Sequence, residues 1–419
     1  FHIDYDPSRL PADAELHIVQ DKYGNEYSYV GKRFLRPNVL RRNCRIKAGE
    51  LYSERRVERT YSLLNALAPV KYVDIAFDPV GENQLDCHIT VSRGKLNNVS
   101  AEVEGTYSAG DWGVAAGVGY INRNIFHGAE QLSLNGRASY EWRQNGGRAI
   151  EGKAEAGLTF PTGVRGNIAY NYQQRPDEYT RTIANAGLYY TIPRKPHSRW
   201  THRFNLIDIS YIYLPWMSDR FKSDFIDKSS VLKSSYEDHF ILDWSYSGTY
   251  TNYRKSAPNR SYINFNYYIE TAGNALYGIA KAAGLTTNDA GAYTIWHIPF
   301  AQYAKADVNF TFHHVMASKH QLVYHAGIGA AVPYLNATVL PFEKRYFSGG
   351  SNSVRGWQAR TLGPGGFRGA NNTMVYDLQA GDIRLDLNIE YRWKVWTYIE
   401  LAAFVDAGNI WTIRNYEQQ

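Results

Sequence analysis

The sequence predicts a mainly β protein, in which a small α+β domain (residues 1–96) precedes a large transmembrane antiparallel β-barrel (residues 97–419). From Asn97 onward, polar and apolar residues alternate with a period of two over segments of about ten residues, a length that crosses a membrane. Aromatic residues stand near the ends of these segments, as they do in interfacial belts. The residues before Asn97 show helical periodicity instead.

The small domain is predicted to place two helices on a small sheet. Within residues 1–35, "FHIDYD" suggests a first strand and "ELHIVQDKYGNEYSYV" an inserted hairpin. A short helix is predicted near residues 38–45, and a second helix from Ser53 to Pro69. The apolar residues of the second helix share one predicted face: Val57, Tyr61, Leu64 and Leu67. "KYVDIAFDP" and "NQLDCHITVSR" then alternate as strands.

The chain has two cysteines, Cys44 and Cys87. Cys44 follows Leu40 by four residues on the inner helix face, and Cys87 lies on the apolar face of the last strand, so both are expected in one core. An even number permits a disulfide in an oxidising compartment. Two buried thiols are the alternative, and the sequence leaves both open.

The barrel strands are predicted from alternation, which is clearest in "QLSLNGRASYEWR" and "DIRLDLNIEYRW". About thirteen strand candidates lie near residues 99, 113, 131, 148, 166, 180, 201, 239, 261, 304, 320, 383 and 399. Soluble sandwiches also alternate. Strand length, charges of both signs on the polar face and aromatic residues near strand ends favour a barrel. Those aromatic residues are Trp142, Tyr211, Tyr213, Trp393 and Trp396.

Thirteen strands would leave unpaired edges in hydrocarbon, which is costly for backbone groups. The final segment "DAGNIWTIRNYEQQ" has the pattern of a strand end that runs into a loop. We therefore expect about three closing strands beyond the given sequence and an even total near sixteen.

Several other classes of protein are disfavoured. No apolar run approaches the length of a membrane-spanning helix. The net charge of +6 is spread along the chain, whereas nucleic-acid binding favours a basic patch. His313 and His314 are adjacent, so on a strand they point to opposite faces and cannot share a metal. We expect no enzymatic activity, metal or cofactor.

The segment "RYFSGGSNSVRGWQ" (residues 345–358) is a polar loop with Arg355 between Val354 and Gly356. It lacks the Lys-Ser or Lys-Thr pair of a phosphate-binding loop. "GGSNSVRGW" resembles the Val-Arg-Gly-Phe/Tyr loop of the outer-membrane assembly insertases, the superfamily of BamA, TamA and the two-partner-secretion transporters. Trp357 replaces the usual Phe or Tyr. Residues 36–96 resemble the barrel-proximal POTRA (polypeptide-transport-associated) domain, and "LNIEYRW" and "FVDAGNIW" resemble the two strands after the loop.

The resemblance implies that the loop folds into the lumen, where its arginine meets acidic side chains on those two strands. By alternation, Glu390 falls on the lumen face, and Asp406 shares the parity of Glu400. Two inward carboxylates suit the planar fork of Arg355. A solvated hairpin tip with an incidental arginine is the alternative.

The resemblance further implies a bacterial outer-membrane insertase whose POTRA domain lies in the periplasm. Its expected partners are unfolded outer-membrane proteins as clients, membrane lipid, and accessory lipoproteins or periplasmic proteins, with no nucleic acid. The first barrel strand, residues 98–108, would open sideways and offer its edge to a client strand. The gate residues on one face are Val99, Ala101, Val103, Gly105 and Tyr107. Gly105 would weaken this strand.

A transporter that secretes a protein through its lumen, of the two-partner-secretion type, is the alternative function. Such members usually carry two POTRA domains and a plug helix, and no plug helix is visible in this sequence. A plain porin would need neither the POTRA domain nor the loop.

Overall fold

A computed structural model of the chain describes residues 1–5, 14–108, 111–143, 147–192, 198–224, 226–228, 230–254, 256–366 and 379–414. The chain separates into two compact units. The first comprises residues 1–102, 116–137 and 154–167, and the second comprises residues 103–115, 138–153 and 168–419.

The first unit contains a five-stranded sheet and two helices. Its strands are β1 (His2–Ile3), β2 (Leu16–Gln20), β3 (Glu26–Val30), β4 (Val70–Pro79) and β5 (Leu85–Arg93), in the order β2-β3-β1-β5-β4. Its helices are α1 (Pro37–Asn43) and α2 (Glu54–Asn65). β1 runs parallel to β3 and β5, whereas β2–β3 and β4–β5 are antiparallel hairpins. The predicted first strand, inserted hairpin and two helices are confirmed.

The predicted buried face of α2 is wrong at one position. Tyr61 is exposed, and Thr60 is buried in its place with Leu64 and Leu67. Thr60 and Leu64 follow the i, i+4 spacing of one helix face, and Leu67 lies just after the helix ends. The hydroxyl group of Thr60 accepts a hydrogen bond from the Arg45 backbone N–H (2.8 Å) and donates one to a backbone carbonyl within the helix (2.8 Å), so its burial leaves no unmet hydrogen bond.

Cys44 and Cys87 are free thiols in the structure and are not joined by a disulfide. Both pack against the hydrophobic core of the first unit, which includes Leu40, Leu64 and Val91. Burial raises the pKa of Cys44 and raises the pKa of Cys87 to about 11. Both groups therefore remain protonated thiols at neutral pH.

The remaining strands form one antiparallel sheet, and their order in it follows the order in the sequence. Thirteen strands of this sheet fall within the described ranges, which confirms the number and approximate places that alternation predicts. With the intervening small elements, the bounds are β6 (Asn97–Ser108), β7 (Asp111–Asn122), β8 (Gln131–Trp142), β9 (Arg148–Thr159), β10 (Val164–Arg175), β11 (Tyr179–Thr191), β12 (Trp200–Met217), α3 (Asp219–Asp224), α4 (Ser230–Ser235), β13 (His239–Thr251), β14 (Tyr262–Ala272), α5 (Asn274–Ala282), a separate hairpin of β15 (Thr294–Ile295) and β16 (Ile298–Pro299), β17 (Tyr303–Ala317), β18 (His320–Pro333), β19 (Ile383–Trp396) and β20 (Ile399–Trp411).

The two faces of the large sheet differ in burial. We call the face that carries Asp243, Glu270 and Asp386 the inner face, because these charged side chains are buried beneath the long β18–β19 loop. The opposite, outer face carries exposed apolar residues such as Ile328 and Val405. Along each strand the two classes alternate, as the pleat requires.

Connections in the second unit alternate between the two ends of the sheet because its strands are antiparallel. The β11–β12, β13–β14, β17–β18 and β19–β20 connections share one end, which we call the short-turn end. The long connections 218–238, 273–302 and 334–382 share the other. No helix in the described part of the chain is long and apolar enough to cross a membrane.

Candidate functional site

The β18–β19 loop bends back at two glycines. Gly349 and Gly350 both have φ of +93°, a conformation that L side chains rarely adopt. A Cβ atom on Gly349 would lie 2.2 Å from the carbonyl oxygen of Gln358. Gly350 N–H donates to the carbonyl oxygen of Trp357 (2.8 Å), and Trp357 N–H donates to that of Val354 (3.1 Å). Glycine is therefore required where the two arms of this turn approach most closely.

Arg355, at the tip of this turn, is held by Asp406 on β20. Its Nε donates to Asp406 Oδ2 (2.7 Å), and one Nη donates to Oδ1 (2.7 Å), so the guanidinium is bidentate. The Arg355 backbone N–H also donates to Oδ2 (3.0 Å). The Asp406 side chain is only 3% exposed, whereas that of Arg355 is 22% exposed. Hydrogen bonds to Asp406 are the main cause that raises the pKa of Arg355, which stays charged.

A second carboxylate, that of Glu390 on β19, accepts the remaining Nη donor of Arg355. Its other oxygen accepts a hydrogen bond from Arg392 Nε at 2.5 Å. The Arg355 guanidinium carbon also lies 3.6 Å from the centroid of the Phe404 ring, within cation–π range. The structure thus brings Arg355, Glu390 and Asp406 together on the inner face of β19 and β20.

Neighbouring contacts fix the rest of the tip. Ser353 Oγ donates to Asp386 Oδ1 (2.5 Å), and Asn388 Nδ2 donates to the Ser353 carbonyl oxygen (2.9 Å). Val354 is buried against Gly408, where an added Cβ would lie 3.0 Å from Val354 Cγ2. Charged, polar and apolar contacts therefore all attach this segment to the same two strands.

Two other residues of the loop motif are less constrained. Gly356 has an ordinary φ, and a Cβ atom there would meet nothing within 4 Å. Nothing in the structure explains a glycine at that position. Trp357 is 51% exposed.

A separate anchor lies at the base of the loop, where a 3₁₀ turn spans Phe342–Lys344. Lys344 Nζ lies 2.6 Å from Glu270 Oε1 on β14 and 3.0 Å from Asp243 Oδ2 on β13. Both carboxylates are 2% exposed. The hydroxyl groups of Tyr268 and Tyr303 also donate to Glu270.

Residues on either side of Lys344 extend this anchor. Glu343 pairs with Arg181 on β11 and lies 3.3 Å from His239 Nε2 on β13. Arg345 is buried and donates to the carbonyl oxygen of Ala380 (2.8 Å). The base of the loop is thus attached to β11, β13 and β14, and its tip to β19 and β20.

A family model for the Omp85 superfamily domain matches residues 97–419. The chain belongs to the Omp85 superfamily. The resemblance of its loop and strands to the outer-membrane assembly insertases is therefore confirmed at the level of the family.

Two relatives of this Omp85 chain are assembly factors by name. The outer membrane protein assembly factor BamA of Neisseria meningitidis serogroup B is 23% identical over 442 residues, covering 97% of this chain and 49% of that protein. The BamA of Nitratidesulfovibrio vulgaris is 24% identical over 423 residues, covering 96% and 46% respectively. The Omp85 chain spans about half the length of the curated relatives that it matches.

Solved structures share the fold of this Omp85 chain. BamA from Haemophilus ducreyi lacking POTRA domains 1–3 aligns with a TM-score of 0.60 at 16% identity, covering 96% of this chain and 77% of that one. CdiB from Acinetobacter baumannii aligns with a TM-score of 0.51 at 14% identity, covering 97% and 69%. Identities this low show the fold alone.

The predicted gate strand of the Omp85 chain, β6, stands at one end of the sheet order, with β20 at the other. The gate residues on one face are exposed, with Val99 at 76%, Val103 at 85% and Tyr107 at 64%. Ala101 is also exposed, and a Cβ on Gly105 would meet nothing within 4 Å. Within the described ranges, β6 is hydrogen-bonded to β7 only, so its other edge is unpaired.

Several residues of the Omp85 site were not predicted from the sequence. On β20, the alternation that places Asp406 on the inner face also places Phe404 there. On β19, the alternation that places Glu390 on the inner face also places Asn388 and Arg392 there. These three residues could therefore have been predicted from their positions along the strands. Lys344 could not, because its partners are on strands far away in the sequence. In the described part of the chain, no three His, Cys, Asp or Glu residues are grouped to hold a metal ion.

Proposed function

We propose that the chain is the barrel and the adjoining periplasmic POTRA domain of an outer-membrane protein assembly factor. In this proposal residues 1–96 are the POTRA domain and residues 97–419 belong to the barrel. Clients are unfolded outer-membrane proteins, and accessory lipoproteins or periplasmic proteins assist. No nucleotide or cofactor is needed, because client strands gain hydrogen bonds and buried apolar area as they insert.

One observation carries the proposal: the two ends of the sheet are supported differently. Arg355, Glu390 and Asp406 tie the loop to β19 and β20 at one end. β6, at the other end, offers an unpaired edge among the described residues. A lateral gate would require one braced side and one edge that can open.

The proposed mechanism is β-augmentation at β6. An unpaired edge presents N–H and C=O groups that an incoming client strand can pair with. The exposed apolar residues of β6, such as Val99 and Val103, would face lipid. The backbone N–H and C=O groups of each client strand would thus become hydrogen-bonded at the membrane boundary.

Depletion of the protein in its native cell tests the function. The expected result is a fall in many unrelated outer-membrane barrel proteins, measured by quantitative proteomics of outer-membrane fractions. Loss of a single secreted partner, with other barrels unchanged, would contradict assembly and support secretion.

Disulfide locking tests the gate. Cysteine pairs that link residues 98–108 to the last strand of the full-length protein should stop client insertion, and reduction should restore it. Cysteine pairs between β6 and β7 are the matched control, since this pairing need not open. An efficiently locked gate with full activity would refute the mechanism.

Secretion through the lumen is the second candidate. It is favoured by a polar cavity of about 460 Å³ on the inner face, lined by residues such as Asn185, Arg203 and Asp208. An unfolded chain that passes through the barrel would need a polar path. The depletion experiment separates this candidate from assembly.

A further inference from the structure

Two neighbouring connections at the short-turn end of the sheet are strongly basic. Residues 192–199 and 252–261 contain no Asp or Glu. Their basic residues in the sequence are Arg194, Lys195, Arg199, Arg254, Lys255 and Arg260. Strand pairing brings the two connections together, because Trp200 pairs with Tyr250 and Thr251 N–H donates to the Arg199 carbonyl oxygen (3.1 Å).

Three of these arginines line a pocket of about 170 Å³. Arg199, Arg254 and Arg260 meet there with Asn252, Ser261 and Tyr262. No carboxylate lines the pocket, and among the described residues none of the three arginines forms an ion pair. Their mutual repulsion is therefore uncompensated within this part of the chain, which favours a bound anion.

An aromatic layer adjoins the pocket on the outer face of β12–β14. Arg203 and Asn205 line the polar cavity of the inner face, so Trp200 and Phe204, which alternate with them, face outward. Ring centroids are 5.2 Å apart for Trp200 and Tyr250 and 4.5 Å apart for Phe204 and Tyr246.

This layer has the composition of a membrane-interface belt. Tyr246 is hydrogen-bonded to His202 Nδ1 (2.8 Å), and the Tyr267 ring covers Gly248, where an added Cβ would lie 2.3 Å from it. Tyrosine and tryptophan rings with polar tips concentrate at the level of lipid headgroups. The arginines lie just beyond the belt along the strands, where lipid phosphates would be.

We propose that Arg199, Arg254 and Arg260 form a binding site for the phosphate of an anionic phospholipid in the adjacent leaflet. Guanidinium groups bind phosphate through paired, charge-assisted hydrogen bonds. Asn252 and Ser261 add neutral donors for the headgroup, and the aromatic belt packs against its glycerol and upper acyl chain. The site rests on the proposed membrane placement of the barrel, but not on client assembly.

A lipid rather than a soluble anion is the proposed occupant because the arginines adjoin the aromatic layer. Arg199 directly precedes Trp200 in the chain and donates a hydrogen bond to the Tyr250 hydroxyl (3.3 Å). A soluble phosphate would gain only the arginine contacts. A lipid would gain those contacts and also those of the belt. The site is not visible in the sequence, because basic residues from two separate turns meet only when β12 pairs with β13.

The test uses the full-length protein in nanodiscs of phosphatidylcholine that contain a minor fraction of phosphatidylglycerol. Native mass spectrometry would measure how much phosphatidylglycerol is retained by wild type and by the variant Arg199→Gln, Arg254→Gln, Arg260→Gln. Each basic residue near a membrane surface is worth about fivefold in binding. The triple variant should therefore retain phosphatidylglycerol about 100-fold more weakly.

A variant with the same change in charge is the matched control. Arg55→Gln, Arg59→Gln, Lys71→Gln removes three exposed cations from the small domain and should retain the lipid like wild type. Circular dichroism and heat-modifiability would confirm that both variants fold. Equal retention by wild type and the pocket variant would overturn the proposal.

Two further outcomes are decisive. Displacement of phosphatidylglycerol from wild type by glycerol phosphate at comparable concentration would show a soluble-phosphate site and would overturn the lipid assignment. If wild type retained phosphatidylglycerol no better than phosphatidylcholine, the lipid assignment would also be overturned. None of these measurements involves a client, so failure of the assembly proposal would leave the lipid result intact.

Discussion

Replacement of Arg355 by alanine should release the loop tip from β19 and β20. The substitution removes the bidentate pair with Asp406, the hydrogen bond to Glu390 and the contact with the Phe404 ring. It keeps the backbone hydrogen bond from residue 355 to Asp406. The carboxylate of Asp406, at 3% exposure, would lose its cationic partner.

The expected magnitude follows from these burials. Removal of one partner from a buried ion pair costs about 3–5 kcal/mol. The lower end applies here, because Arg355 is 22% exposed and Glu390 keeps its contact with Arg392. We expect about 3 kcal/mol, which corresponds to a rise of about 100-fold in the population with an undocked loop.

Limited proteolysis of the folded protein in lipid vesicles measures that population when loop closing is faster than cleavage. Asp406→Asn should accelerate loop cleavage more than Glu390→Gln, since Asp406 accepts three of the four hydrogen bonds donated by Arg355. Arg355→Lys should rescue partly, because a point charge cannot hold both carboxylates as a planar fork does.

Asn352→Ala, at an exposed position of the same loop, is the control and should be cleaved like wild type. Equal cleavage rates for Arg355→Ala and this control, together with unchanged unfolding by urea, would refute the brace.

Three other predictions concern glycine, lysine and cysteine positions. Gly349→Ala should destabilise the loop by at least about 1 kcal/mol because its φ is +93° and a Cβ would meet a backbone oxygen, whereas Gly356→Ala should change urea unfolding by less than about 0.5 kcal/mol. Lys344→Ala should cost about 3–5 kcal/mol, since it leaves two buried carboxylates unpaired, and the exposed control Lys319→Ala should be neutral in the same assay. Burial raises the pKa of Cys87 from 9.0 to about 11, so alkylation of this thiol at pH 8 should be about 100-fold slower in the folded than in the unfolded protein. The contribution of the protonated Cys87 thiol to the free energy of unfolding should be complete below pH 9 and lost as the pH rises through 11. Equal alkylation rates would contradict this burial.

Alternation made the large sheet predictable from the sequence. In "DIRLDLNIEYRW" every second residue is polar, and the same side chains face inward on β19. The period of two also selects Glu390 and Asp406, and these are the two carboxylates nearest to Arg355. A pattern that is local in sequence therefore fixes strand position and side-chain face together.

Features that depend on long-range packing were not predictable in the same way. The spacing of apolar residues along α2 is compatible with either Tyr61 or Thr60 on the buried face. Thr60 is buried because its small hydroxyl group hydrogen-bonds the backbone N–H of Arg45 and the backbone carbonyl of Arg56. Lys344 sits in a loop with no periodicity at all. Its two carboxylate partners become adjacent only through the pairing of β13 with β14.

The two loop anchors also constrain the order of folding. Lys344 is 101 residues from Asp243, and Arg355 is 51 residues from Asp406. Closing chain segments of this length costs conformational entropy before any contact repays it. The base of the loop can form its ion pairs once β13 and β14 have paired. Its tip can form its ion pairs only after β19 and β20, which are synthesised later, have paired. During biogenesis, the arginine tip should therefore lock only after the sheet has formed on both sides of the loop, as one of the last steps to native structure.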